Sequence, residues 1–256
     1  MLKKNGTKEK LRAGQAAIGV RMDFASPYVL EVLGKTGFDF VYFDCEHSSL
    51  SEGACEEMVR ATELTSLTPI VRVPSNEPGV ILRYLDSGVM GVIIPHCHNR
   101  QTAQRAVKAV KYHPQGDRGI AGRSLSLSGL SVADYIKEAN KETLVVLMIE
   151  DPEAIKNLAE IVGVDGIDVL FVGRLDLSVS LGIPGEVDHT TIKEAVNKVI
   201  VQGRAAGKAA GVGAIDVGKP ESIRQFIGQG AQFFSLNLTS ILANASRQLL
   251  QKIKEG

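Results

Sequence analysis

Short apolar runs alternate with longer amphipathic stretches from one end of the chain to the other. The runs are rich in Val and Ile, which is typical of strands buried on both faces. The longer stretches repeat their apolar positions at helical spacing, which predicts a helix after almost every strand. The predicted strands are Ala17–Met22, Phe38–Asp44, Pro69–Val73, Gly91–Pro95, Leu144–Ile149, Asp168–Val172, Ala209–Ile215 and Phe233–Leu238. The predicted helices are Ser51–Thr65, Gly79–Leu85, Gln101–Lys111, Val132–Lys141, Pro152–Ile161, Thr191–Ala205, Glu221–Gly228 and Ile241–Ile253.

This alternation predicts a parallel sheet, because a helical crossover returns the chain to the same edge of the sheet. Eight strand–helix units in 256 residues favour an α/β fold of the (β/α)₈ or TIM-barrel type, as a single domain over residues 1–256. A doubly wound open sheet is the alternative. Two connections are long for a barrel, His113–Ser131 and Asp176–His189, and long connections in compact domains are more often functional than idle.

Composition and charge exclude several classes of protein. The 29 basic and 29 acidic residues cancel, so nothing favours nucleic acid or another polyanion as a partner. The three cysteines, Cys45, Cys55 and Cys97, are too few and odd in number for a secreted disulfide framework. No apolar run approaches the ~20 residues of a membrane helix, and no secretory signal follows the first lysines. We therefore expect a cytoplasmic protein with no membrane partner.

Reactive side chains follow five successive predicted strands. In a TIM barrel the chemistry lies at the carboxyl ends of the strands, so these side chains should meet on one face. Arg72 lies within an apolar strand and needs a partner there, either an ion pair with Asp44 or Asp86 or a bound anion. The strand-end residues are Asp44, Cys45, Glu46 and His47; Arg72; His96 and His98; Glu150; and Asp176.

Two of these residues suggest a metal site. Glu150 and Asp176 follow neighbouring strands, and paired carboxylates with no thiolate suit a hard cation such as Mg²⁺ or Mn²⁺. The alternative is that Glu150 caps the next helix and Asp176 caps a turn. A zinc site from Cys45, His47, His96 and His98 is a second metal hypothesis, although their spacing is not a zinc signature.

Several segments, in the same order along the chain, resemble the HpcH/HpaI family of metal-dependent pyruvate aldolases. They are Phe38–His47, Arg72–Pro74, Tyr84–Gly88, Ile93–Pro95, Tyr112–Gly119, Gly173–Ser180 and Leu181–Gly185. The resemblance implies a TIM barrel of the phosphoenolpyruvate/pyruvate type and reversible cleavage of a 4-hydroxy-2-oxo acid to pyruvate and an aldehyde. It also implies a homo-oligomer, a hexamer built as a trimer of dimers, with the C-terminal helix at about 240–254 packed at a subunit interface.

The resemblance also implies roles for individual residues. Glu150 and Asp176 would hold a divalent cation, Mg²⁺, Mn²⁺ or Co²⁺, and Arg72 would face the keto oxygen of the substrate. His47, oriented by Asp86, would move the proton. Asp44 would hold the residues that contact the substrate without contacting it itself. The expected substrate-binding residues are Arg72, Arg174, Leu175 and Asp176.

The chain departs from the family pattern at Met148, Arg174 and Leu236–Leu238, which leaves the substrate open. One hypothesis is that Arg174 favours an aldehyde with an acidic or hydroxylated tail; the alternative is a solvent-facing surface arginine. The rival functions are an acyl-CoA lyase of the citrate lyase beta or malyl-CoA type and a non-catalytic barrel that binds 2-oxo acids. A Schiff-base aldolase is disfavoured because Lys208 starts a strand and only Lys219 closely follows one.

Overall fold

A computed structural model of the protein describes residues 3–255, and over that span the predicted fold class is confirmed. Eight parallel strands pair in sequence order and close into a barrel, with β8 beside β1. Each strand end therefore has the two neighbours that the order of the chain predicts. The strands are β1 Ala17–Met22, β2 Phe40–Asp44, β3 Thr68–Arg72, β4 Gly91–Ile94, β5 Leu144–Ile149, β6 Val169–Val172, β7 Ala209–Val212 and β8 Phe233–Asn237.

The helices surround the barrel. There are more of them than the sequence predicts, and several are shorter than predicted. The predicted helix Pro152–Ile161 is two helices separated at Asn157, and the long connection after strand 6 begins with a helical segment. The helices are α1 Gly6–Arg12, α2 Pro27–Leu33, α3 Glu52–Thr62, α4 Pro78–Asp86, α5 Arg100–Val110, α6 Arg123–Ser128, α7 Val132–Glu142, α8 Pro152–Lys156, α9 Leu158–Val162, α10 Arg174–Ser180, α11 Thr190–Ala205, α12 Glu221–Gln229 and α13 Leu238–Glu255. None of the helices in residues 3–255 has the length and apolar character that a membrane span requires.

Polar residues fix where many of the helices begin. The side chains of Ser26, Ser51, Asn99 and Ser131 accept hydrogen bonds from backbone N–H groups in the first turns of α2, α3, α5 and α7. Such caps satisfy donors that the helix itself leaves free. Asp151 caps α8 in the same way and also lies 2.7 Å from His98 Nδ1. Asp151 and His98 therefore fix the start of the helix that follows β5.

The lower interior of the barrel is filled by aromatic rings. Phe40 and Phe233 stack with their centroids 4.4 Å apart, and Phe171 meets Phe233 edge to face at 5.3 Å. Gly19 and Gly211 make room for them, since a Cβ at either position would lie within 3 Å of a ring carbon. Because this layer is packed solid, the interior of the barrel opens above it, at the carboxyl ends of the strands.

Candidate active site

A cavity of about 400 Å³ opens at the carboxyl ends of the strands. Side chains alternate along a strand, so the positions two and four residues beyond the packed layer also point inward. They bring charged groups from β1, β2, β3 and β5 into one layer at the top of the barrel. Residues that line the cavity include Arg21, Tyr42, His47, Arg72, Asp176 and Asn237.

Arg72 and Asp44 form a buried pair beside this cavity. Arg72 Nε donates to Asp44 Oδ1 at 2.8 Å, and a terminal nitrogen of Arg72 donates to Oδ2 at 2.6 Å. Burial alone would raise the pKa of Asp44, but the hydrogen bonds and charge of Arg72 outweigh it and hold the pKa below its usual value. The ion pair predicted for Arg72 is therefore with Asp44. The same contact fixes the guanidinium in one orientation at the cavity wall.

Glu150 and Asp176 lie on the neighbouring ends of β5 and β6, as the sequence predicts. Asp176 lines the cavity in the first turn of α10. Glu150 is buried, and its Oε1 accepts the His96 backbone N–H at 2.8 Å. Burial raises the pKa of Glu150; the His96 amide opposes this rise, and the charges of Glu46 and Asp176 add to it. The site therefore concentrates negative charge where a cation would relieve it.

The residues present fit a divalent cation. Four carboxylates (Asp44, Glu46, Glu150 and Asp176) and two guanidinium groups (Arg21 and Arg72) meet around this layer. Gly173 leaves room beside Glu150, since a Cβ there would lie 3.1 Å from Glu150 Oε2. Within the described residues no three His, Cys, Asp or Glu side chains are arranged to hold a metal ion. A cation at Glu150 and Asp176 would need further ligands from water or substrate, as Mg²⁺ commonly does.

Sequence reasoning assigned no role to Glu46, which sits at the centre of this network. Its carboxylate lies 3.2 Å from Arg72, 3.2 Å from His96 Nε2 and 3.6 Å from His47 Nε2. His96 has a φ of 56°, which is uncommon for a residue other than glycine and is often found at functional sites. That conformation directs the His96 amide at Glu150. The adjacent residues Asp44, Glu46 and His47 were the signal in the sequence for such a network.

Sequence reasoning also missed Arg21, on the inner face of β1. A terminal nitrogen of Arg21 lies 2.7 Å from Asp44 Oδ2, so Asp44 contacts two arginines. The signal was present in the sequence: an arginine in the apolar run Ala17–Met22 at an inward position. Arg21 therefore adds a second cationic group to the cavity wall.

The predicted contact between His47 and Asp86 is wrong within one chain. His47 follows the carboxyl end of β2, whereas Asp86 ends α4, which descends to the opposite end of the barrel before β4 begins. Asp86 there accepts a hydrogen bond from Arg118 at 2.9 Å. Sequence spacing could not show this, because a helix after a strand carries its last residue away from the catalytic face.

The solvent-facing alternative for Arg174 is wrong: the side chain is buried, and it donates to the carbonyl oxygens of Gly213 at 2.9 Å and Ala214 at 2.7 Å. Arg174 also lines the cavity, so its effect on the choice of aldehyde stays a prediction. Ala214 has a φ of 55°, so Arg174 holds a strained backbone segment after β7. Leu175, by contrast, is half exposed and lines the cavity, where a substrate could contact it.

The geometry does not support a zinc site. Cys45 Sγ lies 3.2 Å from Cys55 Sγ in the layer between the barrel and α3, outside the cavity. Cys97 is buried as well, so neither thiol faces the ring of His47. The lysines needed for Schiff-base chemistry also lie elsewhere. Lys208 Nζ donates to the Val164 carbonyl oxygen at the lower end of the barrel, and Lys219 lies beside Asp216 outside the cavity lining.

Comparison with known proteins agrees with this architecture. The chain is 35% identical over 248 residues to 4-hydroxy-2-oxo-heptane-1,7-dioate aldolase from Salmonella dublin, covering 96% of this chain and 93% of that protein. It superposes on an HpcH/HpaI aldolase from Desulfitobacterium hafniense with a TM-score of 0.90 at 27% identity, covering 97% and 96% of the two chains. It also superposes on the citrate synthase SbnG with a TM-score of 0.86 at 30% identity, covering 97% and 98%.

The profile of the family described as HpcH/HpaI aldolase/citrate lyase matches residues 18–244, which run from β1 into α13 and include every strand-end residue discussed above. The barrel, the site at its carboxyl face and these similarities lead to one assignment. The chain belongs to the HpcH/HpaI aldolase/citrate lyase family and is an enzyme of the aldolase or lyase kind.

Proposed function

We propose that the protein is a divalent-metal-dependent (class II) aldolase that reversibly cleaves a 4-hydroxy-2-oxo acid to pyruvate and an aldehyde. One observation carries the proposal: Asp176 and the fixed guanidinium of Arg72 line one cavity, and the buried carboxylate of Glu150 lies close enough to Asp176 for that charge to help raise the pKa of Glu150. Two carboxylates suit a cation that can bind a 2-oxo acid, and a guanidinium suits the oxygen on which charge develops.

In this proposal each residue has a defined task. Glu150 and Asp176 hold Mg²⁺, Mn²⁺ or Co²⁺, which when bound polarises the keto group. Arg72, held by Asp44, donates hydrogen bonds to the keto oxygen as the bond between C3 and C4 breaks. His47 accepts the proton of the 4-hydroxyl group at Nε2. Glu46, 3.6 Å away, stabilises the imidazolium that results.

Metal dependence is the first test. Chelation should abolish pyruvate formation, and Mn²⁺, Mg²⁺ or Co²⁺ should restore it. Borohydride with pyruvate should leave the enzyme active, because no lysine faces the cavity from its described lining. Trapping of pyruvate on Lys219 would overturn the metal mechanism in favour of a Schiff base.

The similarity to a citrate synthase makes the condensation of a thioester with a 2-oxo acid, or its reverse, the rival function. In that case the enzyme would act on a thioester, as an acyl-CoA lyase does. Pyruvate and oxaloacetate should each be incubated with an aldehyde panel and, separately, with acetyl-CoA. Turnover of aldehydes without consumption of acetyl-CoA supports the aldolase; consumption of acetyl-CoA, with the product thioester intact or hydrolysed to free thiol, and without aldehyde turnover supports the rival.

We also propose that the protein forms a closed oligomer, a hexamer by family resemblance. Leu238 and Ile241 of α13 pack on the barrel, but Leu242, Leu249, Leu250 and Ile253 are more than half exposed. These four exposed side chains therefore do not cover the barrel of their own chain. An oligomer would also be the means for Asp86 to approach a His47, since the two lie at opposite ends of one chain.

A further inference from the structure

Two thiols lie against each other directly behind the candidate active site. Cys45 follows β2, and Cys55 lies near the start of α3. Their sulfur atoms are 3.2 Å apart, in the apolar layer between the barrel and its helices. A disulfide bond is about 2.05 Å long, so the two sulfurs need to approach by only roughly 1 Å to form one. Cys45 and Cys55 are therefore placed so that a small movement can join them.

The surroundings of the pair make Cys45 the more reactive thiol. A hydrogen bond from Cys55 lowers the pKa of Cys45; burial opposes this effect, and a hydrogen bond from the Tyr84 hydroxyl adds to it. The same contact and burial raise the pKa of Cys55. Cys45 keeps 7% of its exposure, whereas Cys55 has none. Because the thiolate is the form that attacks an oxidant, Cys45 reacts first and Cys55 is the thiol that follows it.

The two cysteines are the ends of a segment that carries two residues of the site. Side chains alternate along a strand, so Cys45 faces α3 while its neighbours Asp44 and Glu46 face the barrel interior. The backbone N–H groups of Glu46 and His47 each donate to Asp44 Oδ1 at 3.3 Å. A movement of Cys45 toward α3 displaces both neighbours, because one peptide bond separates each of them from it.

We propose that Cys45 and Cys55 are a peroxide-sensitive modification site, whose disulfide displaces Glu46 and His47 and reversibly lowers turnover. The Cys45 thiolate attacks one oxygen of hydrogen peroxide and the O–O bond breaks, which leaves a sulfenic acid on Cys45. The departing hydroxide takes up the proton that Cys45 had lost and becomes water. The Cys55 sulfur then attacks the Cys45 sulfur; the S–O bond breaks, and the hydroxyl leaves as water with the proton of Cys55. The two thiols lose two electrons in all, and the peroxide is reduced to two waters.

The first measurement counts thiols and requires no turnover. Native protein is treated with hydrogen peroxide, the excess is destroyed by catalase, and the remaining thiols are titrated after unfolding. Wild type has three cysteines and should retain one thiol, with Cys45 and Cys55 joined in a single cross-linked peptide by mass spectrometry. Dithiothreitol should restore all three. Cys55→Ser should stop at the sulfenic acid of Cys45, which dimedone labels.

The second measurement follows the site. Oxidation should lower the kcat of wild type by ~10–100-fold, because a displacement of about 1 Å next to reacting groups costs a factor of this size. Cys45→Ser should keep its reduced rate after the same treatment. Cys97→Ser is the matched control, since it removes an equally buried thiol outside the pair, and it should lose turnover as wild type does.

Amide hydrogen exchange reports the displacement without any substrate. Exchange at Glu46 and His47, read by mass spectrometry, should be faster in the oxidised wild type, because both amides lose their bonds to Asp44 Oδ1. This result supports the modification site even if no aldol cleavage is found, so failure of the proposed function is distinguishable from failure of this proposal.

Retention of all three thiols by native wild type after peroxide treatment would overturn the proposal. A disulfide that changes neither turnover nor amide exchange would overturn it as well. So would a loss of turnover that is equally large in Cys45→Ser, or one that dithiothreitol does not restore.

Discussion

At the scale of single residues, the charged layer at the top of the barrel places two arginines, in β1 and β3, in different surroundings. The Arg72 side chain is almost fully buried and makes two hydrogen bonds to Asp44, so its position is fixed before a ligand binds. Arg21 shares the same carboxylate but remains partly open to the cavity. Pre-organised donors of the first kind are suited to charge that develops during a reaction.

Arg72→Ala tests the first role. Aldol cleavage and the exchange of pyruvate methyl protons with solvent both develop charge on the keto oxygen. Both rates should therefore fall together, by ~10²–10³-fold if the change resembles loss of an oxyanion donor. Arg72→Lys should recover only part of the loss, since an ammonium cannot reproduce the fork. Proton exchange at the wild-type rate in Arg72→Ala would remove Arg72 from the keto oxygen.

His47→Ala tests the proton-transfer role separately. The imidazole is about half exposed and contacts Glu46, so we expect its loss to leave the barrel intact. Cleavage should fall strongly while Mn²⁺ affinity and pyruvate proton exchange persist, because exchange needs no proton from an aldol hydroxyl. His98→Ala, which alters the Asp151 contact instead, is the control. Release of Mn²⁺ from His47→Ala would make His47 a ligand and contradict the assignment.

At the scale of secondary-structure elements, the end of β6 shows how backbone shape controls the candidate cation site. Gly173 joins β6 to α10 and lies against the side chains of Met148 and Glu150. A Cβ here would stand 2.9 Å from Met148 Cε and 3.0 Å from Glu150 Cβ. Met148 can move because its side chain is flexible, whereas Glu150 is held by the His96 amide. The glycine thus leaves room for the Glu150 side chain beside the turn that leads to Asp176.

Gly173→Ala should displace Glu150 and weaken Mn²⁺ binding by ~10–100-fold, as changes next to metal ligands commonly do. Calorimetric titration with Mn²⁺ measures this directly. Gly228→Ala is the matched control: it lies in α12 with no atom within 4 Å of the added Cβ, and it should leave Mn²⁺ affinity unchanged. Wild-type affinity in Gly173→Ala would argue against Glu150 as a ligand.

The lower end of the barrel is closed by α1 and by two buried lysines. Lys8 Nζ donates to the Thr143 carbonyl oxygen at 2.8 Å and to Asp168 at 2.9 Å, and Lys111 Nζ donates to the same carbonyl at 2.7 Å. Burial and, after it, the charge of Lys8 lower the pKa of Lys111 to about 7, although the charge of Asp168 opposes both. The ordinary value is 10.5, so the unfolded chain binds this proton more tightly than the folded one.

Stability should therefore rise with pH as Lys111 loses its proton in the folded state, from about 7 toward 10.5. The slope from this group is at most about 1.4 kcal/mol per pH unit, and its full cost is present below the folded pKa. Urea unfolding at pH 6.5 and pH 9 should show the rise in wild type and a smaller rise in Lys111→Met. Lys108→Met, on the exposed face of the same helix, should behave like wild type. Equal pH dependence in all three proteins would refute the assignment.

At the scale of the whole molecule, the exposed leucines of α13 set the expectation for assembly. An eighteen-residue helix with four large apolar side chains more than half exposed is costly to leave in water. Replacing Leu249 and Leu250 together with serine should lower the mass of the particle in light scattering at micromolar concentration. Replacing Lys252 on the same helix with serine should leave the mass of the particle unchanged. A wild type that is already monomeric would contradict the oligomer.

The sequence by itself determined the barrel and the residue types at its catalytic face. Apolar residues repeat at different intervals in strands and in helices, so the sequence shows eight alternations of strand and helix. Eight such units predict a parallel barrel, and the carboxyl ends of its strands must lie together on one face. This reasoning brought Asp44, His47, Arg72, Glu150 and Asp176 to one end of the molecule, where the structure has them.

Only the tertiary structure decided which of these groups touch. A period of two gives the face of a strand but not the register between neighbouring strands, so the sequence left Asp44 and Asp86 both open as partners of Arg72 and did not show the contact between Asp44 and Arg21. A helix carried Asp86 to the far end of the barrel, and a turn after β6 sent Arg174 to backbone carbonyls. Pairing is decided by positions in space, and in a closed barrel those depend on closure of the whole sheet.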